Sequence, residues 1–252
     1  MTELNAIEID TYDNVSMIEE KSDERKEVIF SSKPLYTVGK RIFDLVSSLI
    51  VSIALLIPIA IIAVIVMIKD FGNPFYFHKR VGKNFREINV LKFRSMKKGA
   101  DDIENSLNPK QLREYLKEYR LKDDPRLIGY KKKGDGETCF GARIRQFSID
   151  EIPQIVFNIL IKGNMSVVGP RPILRSELEG NYTPEEQKLL LSVKPGLTGY
   201  WQVYAHDTGY ETGERQKAEL YYVNNRSFAL DMKIIFKTVL VLFFERKKGT
   251  DK

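Results

Sequence analysis

The 252-residue sequence has few of the side chains from which metal and redox centres are usually built. It contains one cysteine, Cys139, and two histidines, His78 and His206. A single cysteine excludes an internal disulfide and is typical of a chain in a reducing compartment. The two histidines are far apart and have no ligand-like spacing, which argues against a structural zinc site.

Several common motifs are also missing. The sequence has no Walker-type or dinucleotide-binding glycine motif, no internal repeat and no heptad register. Any nucleotide binding must therefore use another architecture. The acidic start, without a basic stretch followed by an apolar run, predicts that no cleavable signal peptide is present.

Acidic residues are concentrated at the start of the chain. Residues 1–26 hold eight acidic and three basic side chains, a net charge of −5, so the +6 of the whole chain leaves +11 on the remainder. The polar composition of residues 1–35 predicts a disordered acidic tail. The basic remainder needs an anionic partner, and charge alone leaves nucleic acid, a phospholipid surface and a phosphorylated substrate open.

One long apolar segment predicts a membrane helix within residues 36–70. Residues 45–68 carry no charge and lie between Asp44 and Lys69. As a helix these 24 residues measure roughly 36 Å, against a hydrocarbon core of about 30 Å.

Pro58, near the middle of this segment, favours a re-entrant hairpin, because proline removes a backbone hydrogen bond and kinks a helix. Basic residues on both flanks favour the cytoplasm for both ends. They are Lys40, Arg41, Lys69, Lys79, Arg80 and Lys83. A proline-kinked helix that crosses the bilayer remains the alternative.

Three further segments have clear local patterns. Residues 72–96 contain two short aromatic and β-branched runs separated by Gly and Asn, which predict a hairpin. Residues 155–161 predict an apolar helix. Residues 231–244 predict a last helix, which suits either the membrane interface or the core.

The adjacent carboxylates Asp150 and Glu151 are the strongest candidates for chemistry. They precede the apolar helix, with Arg143, Arg145 and Arg171 on either side. A helix start favours anions, so acids, cations and a helix end together suit phosphate chemistry. Asp150 as a simple helix cap is the alternative on local pattern.

Six motifs in order, KRVGK, LKFRSM, SIDEIPQIVFNIL, GNMSVVGPRP, KPGLTGYWQV and LYYVNNRSFALDMKII, resemble the bacterial sugar transferase family of monotopic phosphoglycosyl transferases. The resemblance covers residues 40–248. It implies a small, mostly helical α/β catalytic domain over residues 71–248, with one re-entrant membrane helix and interfacial amphipathic helices. It places the protein at the bacterial plasma membrane, with the catalytic domain on the cytoplasmic face.

The resemblance also implies a reaction. Family members move a sugar-1-phosphate from a UDP-sugar to undecaprenyl phosphate, release UMP and require Mg²⁺. The family's acid pair falls on Asp150, the implied nucleophile, and Glu151, and both are implied metal ligands. The implied phosphate-binding set is Arg80, Lys92, Arg94, Arg145, Pro170, Arg171, Arg215 and Asp231. Asp231 as a cap of the last helix is equally compatible with the pattern.

The chain departs from the family at two places. Ile57 stands where Ser commonly precedes the membrane proline, and Ala205-His206 stands where Gly-Arg is common. The identity of the sugar and self-association of the chain remain open. A non-catalytic adaptor that binds anionic lipids is the main alternative, which the acid pair disfavours. Nucleic-acid binding would leave the apolar segment unexplained, so we expect no nucleic-acid partner.

Overall fold

The computed structural model describes residues 33–118, 121, 123–134, 136, 138–205 and 213–242. Most of the predicted acidic tail, His206 and the basic residues after position 242 lie outside the described part. Pro34 and Leu35, the last two positions of the predicted tail, belong to the first helix.

Helix α1 spans Pro34–Lys69 and is about 54 Å long. Pro34 stands in its first turn, where no backbone donor is lost. Only Asp44, Ser48 and Val66 are buried, so most of its apolar side chains are exposed. By length and composition it is the one described helix able to cross a membrane. The helix continues through Pro58, and its predicted re-entry remains a prediction.

The predicted hairpin is confirmed. Strand β1, Phe75–Val81, pairs antiparallel with β2, Glu87–Phe93. Directly opposed residues share one face of a sheet, as do alternate residues of a strand. The inner face therefore carries Tyr76, His78, Arg80, Ile88, Val90 and Lys92.

Short helices follow the hairpin: α2 Ile103–Ser106, α3 Pro109–Glu118 and α4 Phe140–Gln146. A 3₁₀ turn, Ile149–Glu151, then leads into a π-helix, Ile155–Ile161, which confirms the predicted helical stretch. The buried Ile88 and Val90 of the hairpin pack against Ile159 of this π-helix.

The second half of the chain contains a two-stranded parallel sheet of β3, Ser166–Val168, and β4, Gly196–Thr198. Around it lie α5 Arg175–Asn181, α6 Pro184–Leu190, α7 Tyr200–Tyr204, α8 Glu214–Asn225 and α9 Phe228–Leu240. The predicted last helix is thus confirmed, although it begins at Phe228. Glycine is required at 196, because a Cβ there would lie 2.1 Å from the backbone N of Gly169.

The largest apolar core lies between these helices and β3, with Val168, Leu178, Tyr222, Val223 and Ile234 fully buried. Helix α1 is attached to this domain by polar contacts. Asp44 Oδ1 accepts a hydrogen bond from Val167 N at 3.0 Å, and Arg41 Nη1 donates to Ile159 O at 3.1 Å. The structure thus confirms a mostly helical α/β fold with one long apolar helix, and it adds that the sheets are small.

Candidate active site

Asp150 and Glu151 lie in the 3₁₀ turn between α4 and the π-helix. The N-cap of this turn is Ser148, in the left-handed region with φ 53°, so Asp150 is inside the turn and does not cap it. Only 7% of Asp150 is exposed. A buried carboxylate without a capping role needs another explanation.

Lys92, on the inner face of the hairpin, lies between the two acids. Its Nζ is 2.6 Å from Glu151 Oε1 and 3.6 Å from Asp150 Oδ2. The first distance is that of a strong charge-assisted hydrogen bond, whereas the second is an ion-pair contact only. Lys92 therefore neutralises Glu151 more fully than Asp150.

The two carboxyl groups have opposite pKa shifts. Burial raises the pKa of Asp150, and the charge of Glu151 adds to this against the opposing effect of Lys92 and Arg145. Burial also disfavours the charge on Glu151, but Lys92, Arg171 and Arg80 hold the pKa of Glu151 below its ordinary value. Neighbouring groups with divergent pKa values are typical of acids with different roles in one site.

His78 shows that the predicted cations converge here. Its pKa is lowered to about 3, chiefly by burial and then by the charges of Arg80, Lys92, Arg171 and Arg145 in that order. Arg80 Nη2 lies 3.2 Å from His78 Nδ1. Four of the predicted phosphate-binding cations thus act electrostatically on one imidazole. We call Arg80, Lys92, Arg145 and Arg171 the basic cluster.

The buried acid Glu177 orients Arg80. Arg80 Nη1 lies 3.6 Å from Glu177 Oε2, and both side chains are buried. Glu177 also accepts a hydrogen bond from Leu174 N, which anchors its carboxylate at the start of α5. Arg80 is therefore held by the domain rather than by solvent.

A second buried acid holds the turn that carries Arg171. Glu219 Oε1 and Oε2 accept from Arg171 N at 3.1 and 3.3 Å, and burial raises the pKa of Glu219 to about 7. The guanidinium carbons of Arg215 and Arg171 lie 4.2 and 5.8 Å from the ring centre of Trp201, within cation–π range. Pro170 fixes the same turn, since its carbonyl accepts from Gly196 N at 2.8 Å.

Two members of the predicted phosphate-binding set are placed at α1. Arg94 Nη2 donates to Asp70 O at 2.7 Å, next to the end of the helix. Asp231 accepts from Tyr36, Lys40 and Tyr222 at 2.7–2.8 Å, near the start of α1, while Ser227 caps α9 in its place. A phosphate-binding role for Arg94 and Asp231 remains a prediction.

Three residues of the site were missed by sequence reasoning: His78, Glu177 and Glu219. The spacing of His78 from Arg80, two positions along a strand, was the available signal for one of them. No local signal identifies Glu177 or Glu219, because their partners are distant in sequence.

Mg²⁺ fits this donor set only with help from a substrate. Within the described ranges, no group of three or more His, Cys, Asp or Glu side chains is placed to hold a metal. Mg²⁺ usually binds through one or two carboxylates together with waters and substrate phosphates. Asp150 and Glu151 supply such a carboxylate pair.

The buried Asp150 and the half-buried Glu151 lie beside the basic cluster, on a domain packed against one long apolar helix. This arrangement defines a site suited to phosphoryl chemistry. The chain belongs to the bacterial sugar transferase family, which it matches over residues 35–245.

Curated relatives agree with this assignment. The chain is 35% identical over 218 residues to "Exopolysaccharide production protein ExoY" of Sinorhizobium fredii, covering 85% of this chain and 89% of that protein. It is 38% identical over 207 residues to "UDP-galactose-lipid carrier transferase" of Erwinia amylovora and to "Undecaprenyl-phosphate galactose phosphotransferase" of Salmonella typhimurium. Each of these alignments covers 81% of this chain but only 40% of the relative.

Proposed function

We propose that this protein transfers a sugar-1-phosphate from a UDP-sugar to undecaprenyl phosphate and releases UMP. This would be the first membrane step in assembly of an exopolysaccharide, capsule or other glycoconjugate. The observation that carries the proposal is Asp150, a buried carboxylate with a raised pKa beside the basic cluster. Family membership and the printed names of the relatives support the same reaction.

The reaction proceeds in two displacements. An Asp150 carboxylate oxygen attacks the β-phosphorus of the UDP-sugar, a new O–P bond forms, and the bond to the α-phosphate oxygen breaks so that UMP leaves. A phosphate oxygen of undecaprenyl phosphate then attacks the same phosphorus and displaces the Asp150 carboxylate. Covalent catalysis of this kind divides one difficult transfer into two easier steps.

The basic cluster stabilises the charge on the phosphoryl group during both steps. Preorganised cations are effective because they need no reorientation as charge develops. Glu177 holds the side chain of Arg80, and Glu219 holds the backbone of Arg171. Both arginines are therefore positioned by buried acids of the domain. Lys92 holds Glu151 ionised and leaves Asp150 the less neutralised of the two acids.

We propose that Asp150 and Glu151 hold Mg²⁺ together with substrate oxygens. The bound ion would supply positive charge to the diphosphate. The 2.6 Å contact of Lys92 Nζ with Glu151 Oε1 supports this proposal, because it puts a positive charge directly beside the carboxylate pair.

Release of UMP tests the reaction and the metal together. The purified full-length chain in detergent is given undecaprenyl phosphate, Mg²⁺ and one of UDP-galactose, UDP-glucose or UDP-N-acetylglucosamine. We expect UMP release with at least one donor, its loss in EDTA and its recovery on addition of excess Mg²⁺. Undiminished release in EDTA would remove the metal from the mechanism. Absence of release with a broad panel of donors would favour the lipid-binding adaptor.

We further propose that α1 is re-entrant and that both its ends face the cytoplasm. Pro58 and the basic flanks support this topology. Single cysteines at Ser31 and at Lys69, in a Cys139→Ser background, are exposed to a membrane-impermeant maleimide in intact cells. We expect both positions to be protected until the cells are opened. Labelling of position 31 alone in intact cells would establish a helix that crosses the bilayer.

A further inference from the structure

Gln154 is a buried polar residue whose side-chain donor is unpaired. Only 2% of the residue is exposed, and its Nε2 has no hydrogen-bond partner among the described residues. An amide nitrogen carries two N–H donors, and leaving such a group buried and unpaired lowers the stability of the folded state. Most buried polar groups in proteins are paired, so this one needs an explanation.

The helical backbone places Gln154 one turn after the acid pair. The 3₁₀ turn that holds Asp150 and Glu151 continues through Ile152 and Gln154, both in the right-handed helical conformation, into the π-helix. Residues three and four positions apart lie on the same face of a helix. Gln154 follows Glu151 by three positions and Asp150 by four, and it therefore shares their face.

Contacts before and after Gln154 show that this face meets strand β2. Before it, Lys92 of β2 contacts both acids. Four positions after it, Asn158 Oδ1 accepts from Leu91 N at 2.9 Å, and Asn158 Nδ2 donates to Asn89 O at 2.8 Å. Gln154 thus lies between two sets of side chains that reach the same strand of the hairpin.

We propose that Gln154 is a further catalytic residue, whose Nε2 donates a hydrogen bond to an oxygen of the phosphoryl group that Asp150 attacks. The inference rests on the transfer reaction proposed above. The phosphorus has to come within bonding distance of Asp150, so its oxygens come within reach of a side chain one helical turn away. These oxygens are charged acceptors, which suits a buried donor that has no partner in the free protein.

The Gln154 amide would be a preorganised donor. Lys92 Nζ is already bonded to Glu151 Oε1 at 2.6 Å in the free protein, whereas Gln154 Nε2 has no bond to break when the phosphoryl group binds. A donor that needs no rearrangement in a buried site stabilises developing charge effectively. The same donor would serve both displacements, because the phosphorus is bonded to Asp150 between them.

Gln154→Met tests this role, because methionine is similar in length and volume and has no donor. UMP release by the purified full-length chain gives kcat and KM, and thermal unfolding without substrate gives the stability. We expect kcat to fall about 100-fold with little change in KM, since the hydrogen bond is strongest in the transition state. We also expect the unfolding midpoint to rise, since an apolar group replaces an unpaired buried amide.

Gln187 in α6 provides the matched control. Its Nε2 donates to Tyr182 O at 2.9 Å, so Gln187→Met removes a hydrogen bond that exists in the free protein. We expect this variant to have a lower unfolding midpoint and unchanged UMP release. The same substitution at the two glutamines should therefore shift stability in opposite directions and affect catalysis only at Gln154.

The possible failures can be told apart. Near-normal kcat of Gln154→Met, in an assay where the wild type is active, would overturn this inference and leave the proposed reaction standing. A lower midpoint of Gln154→Met, or its failure to fold, would show that the amide has a structural role and would also overturn the inference. Absence of UMP release by the wild type would contradict the proposed function itself, and this inference with it.

Discussion

Asp150 and Asp231 are both buried carboxylates that face a lysine, but the protein bonds them differently. Asp231 accepts from Lys40 at 2.7 Å and from the hydroxyls of Tyr36 and Tyr222 at 2.8 Å. Asp150 lies 3.6 Å from Lys92, whose closer partner at 2.6 Å is Glu151. Asp231 is 1% exposed and Asp150 is 7% exposed, so the extent of burial does not distinguish the two acids.

The difference lies in how far the charge is compensated. A buried carboxylate with several short hydrogen bonds holds elements together, and at Asp231 these elements are α1, α8 and α9. A buried carboxylate with few such bonds keeps a raised pKa and an available lone pair. The two acids therefore contrast a structural use of buried charge with the chemical use proposed for Asp150, and the same substitution at each should have opposite consequences.

The largest expected effect is on catalysis at Asp150. Asp150→Asn removes the nucleophile, so we expect UMP release to fall by about three orders of magnitude or more. Because burial raises the pKa of Asp150, its charge at neutral pH opposes folding, and loss of that charge should leave the unfolding midpoint unchanged or higher. Parallel kinetics and thermal unfolding measure both quantities. Near-normal UMP release by this variant would refute Asp150 as nucleophile.

A smaller effect on catalysis is expected from Lys92→Met. Loss of a preorganised cation should reduce kcat/KM about 100-fold. Lys92 lowers the pKa of both acids, so its removal should raise both and move the acid limb of the pH–rate profile to higher pH, since Asp150 must be ionised to react.

The matched control for this variant is Lys79→Met on the outer face of the same hairpin, where Lys79 forms an exposed pair with Glu87 at 3.2 Å. It should leave the profile in place. An unmoved acid limb in Lys92→Met would show that Lys92 does not set the ionisation of the acid pair.

Substitution of Asp231 should have the smallest effect on catalysis. Its effect on stability should be larger than that of the substitution at Asp150. Asp231→Asn leaves Lys40 without its buried counter-ion, so the free energy of unfolding should fall by about 3 kcal/mol. We expect kcat of the folded protein to change less than ten-fold. Denaturant unfolding and UMP release provide the two values. An unchanged unfolding free energy with a raised KM would instead support Asp231 as a phosphate-binding residue.

Much of this arrangement is predictable from local sequence. Two runs of aromatic and β-branched residues on either side of Gly82 and Asn84 predict the hairpin, and the uncharged run before Lys69 predicts α1. Two adjacent acids among arginines predict the reactive centre. These features are encoded by neighbours in the chain, where periodicity, turn residues and charge can be read directly.

Only the tertiary structure decided how the buried charges are paired. Glu219 reaches the backbone of Arg171 and Glu177 reaches Arg80, over 48 and 97 positions respectively. Asp231 likewise meets Tyr36 across 195 positions. Carboxylates acquire different roles from partners that packing brings together, and no local pattern records those partners. Local sequence thus determined the helices and strands and where two adjacent acids stand, and the packing determined which buried acid is left with few hydrogen bonds.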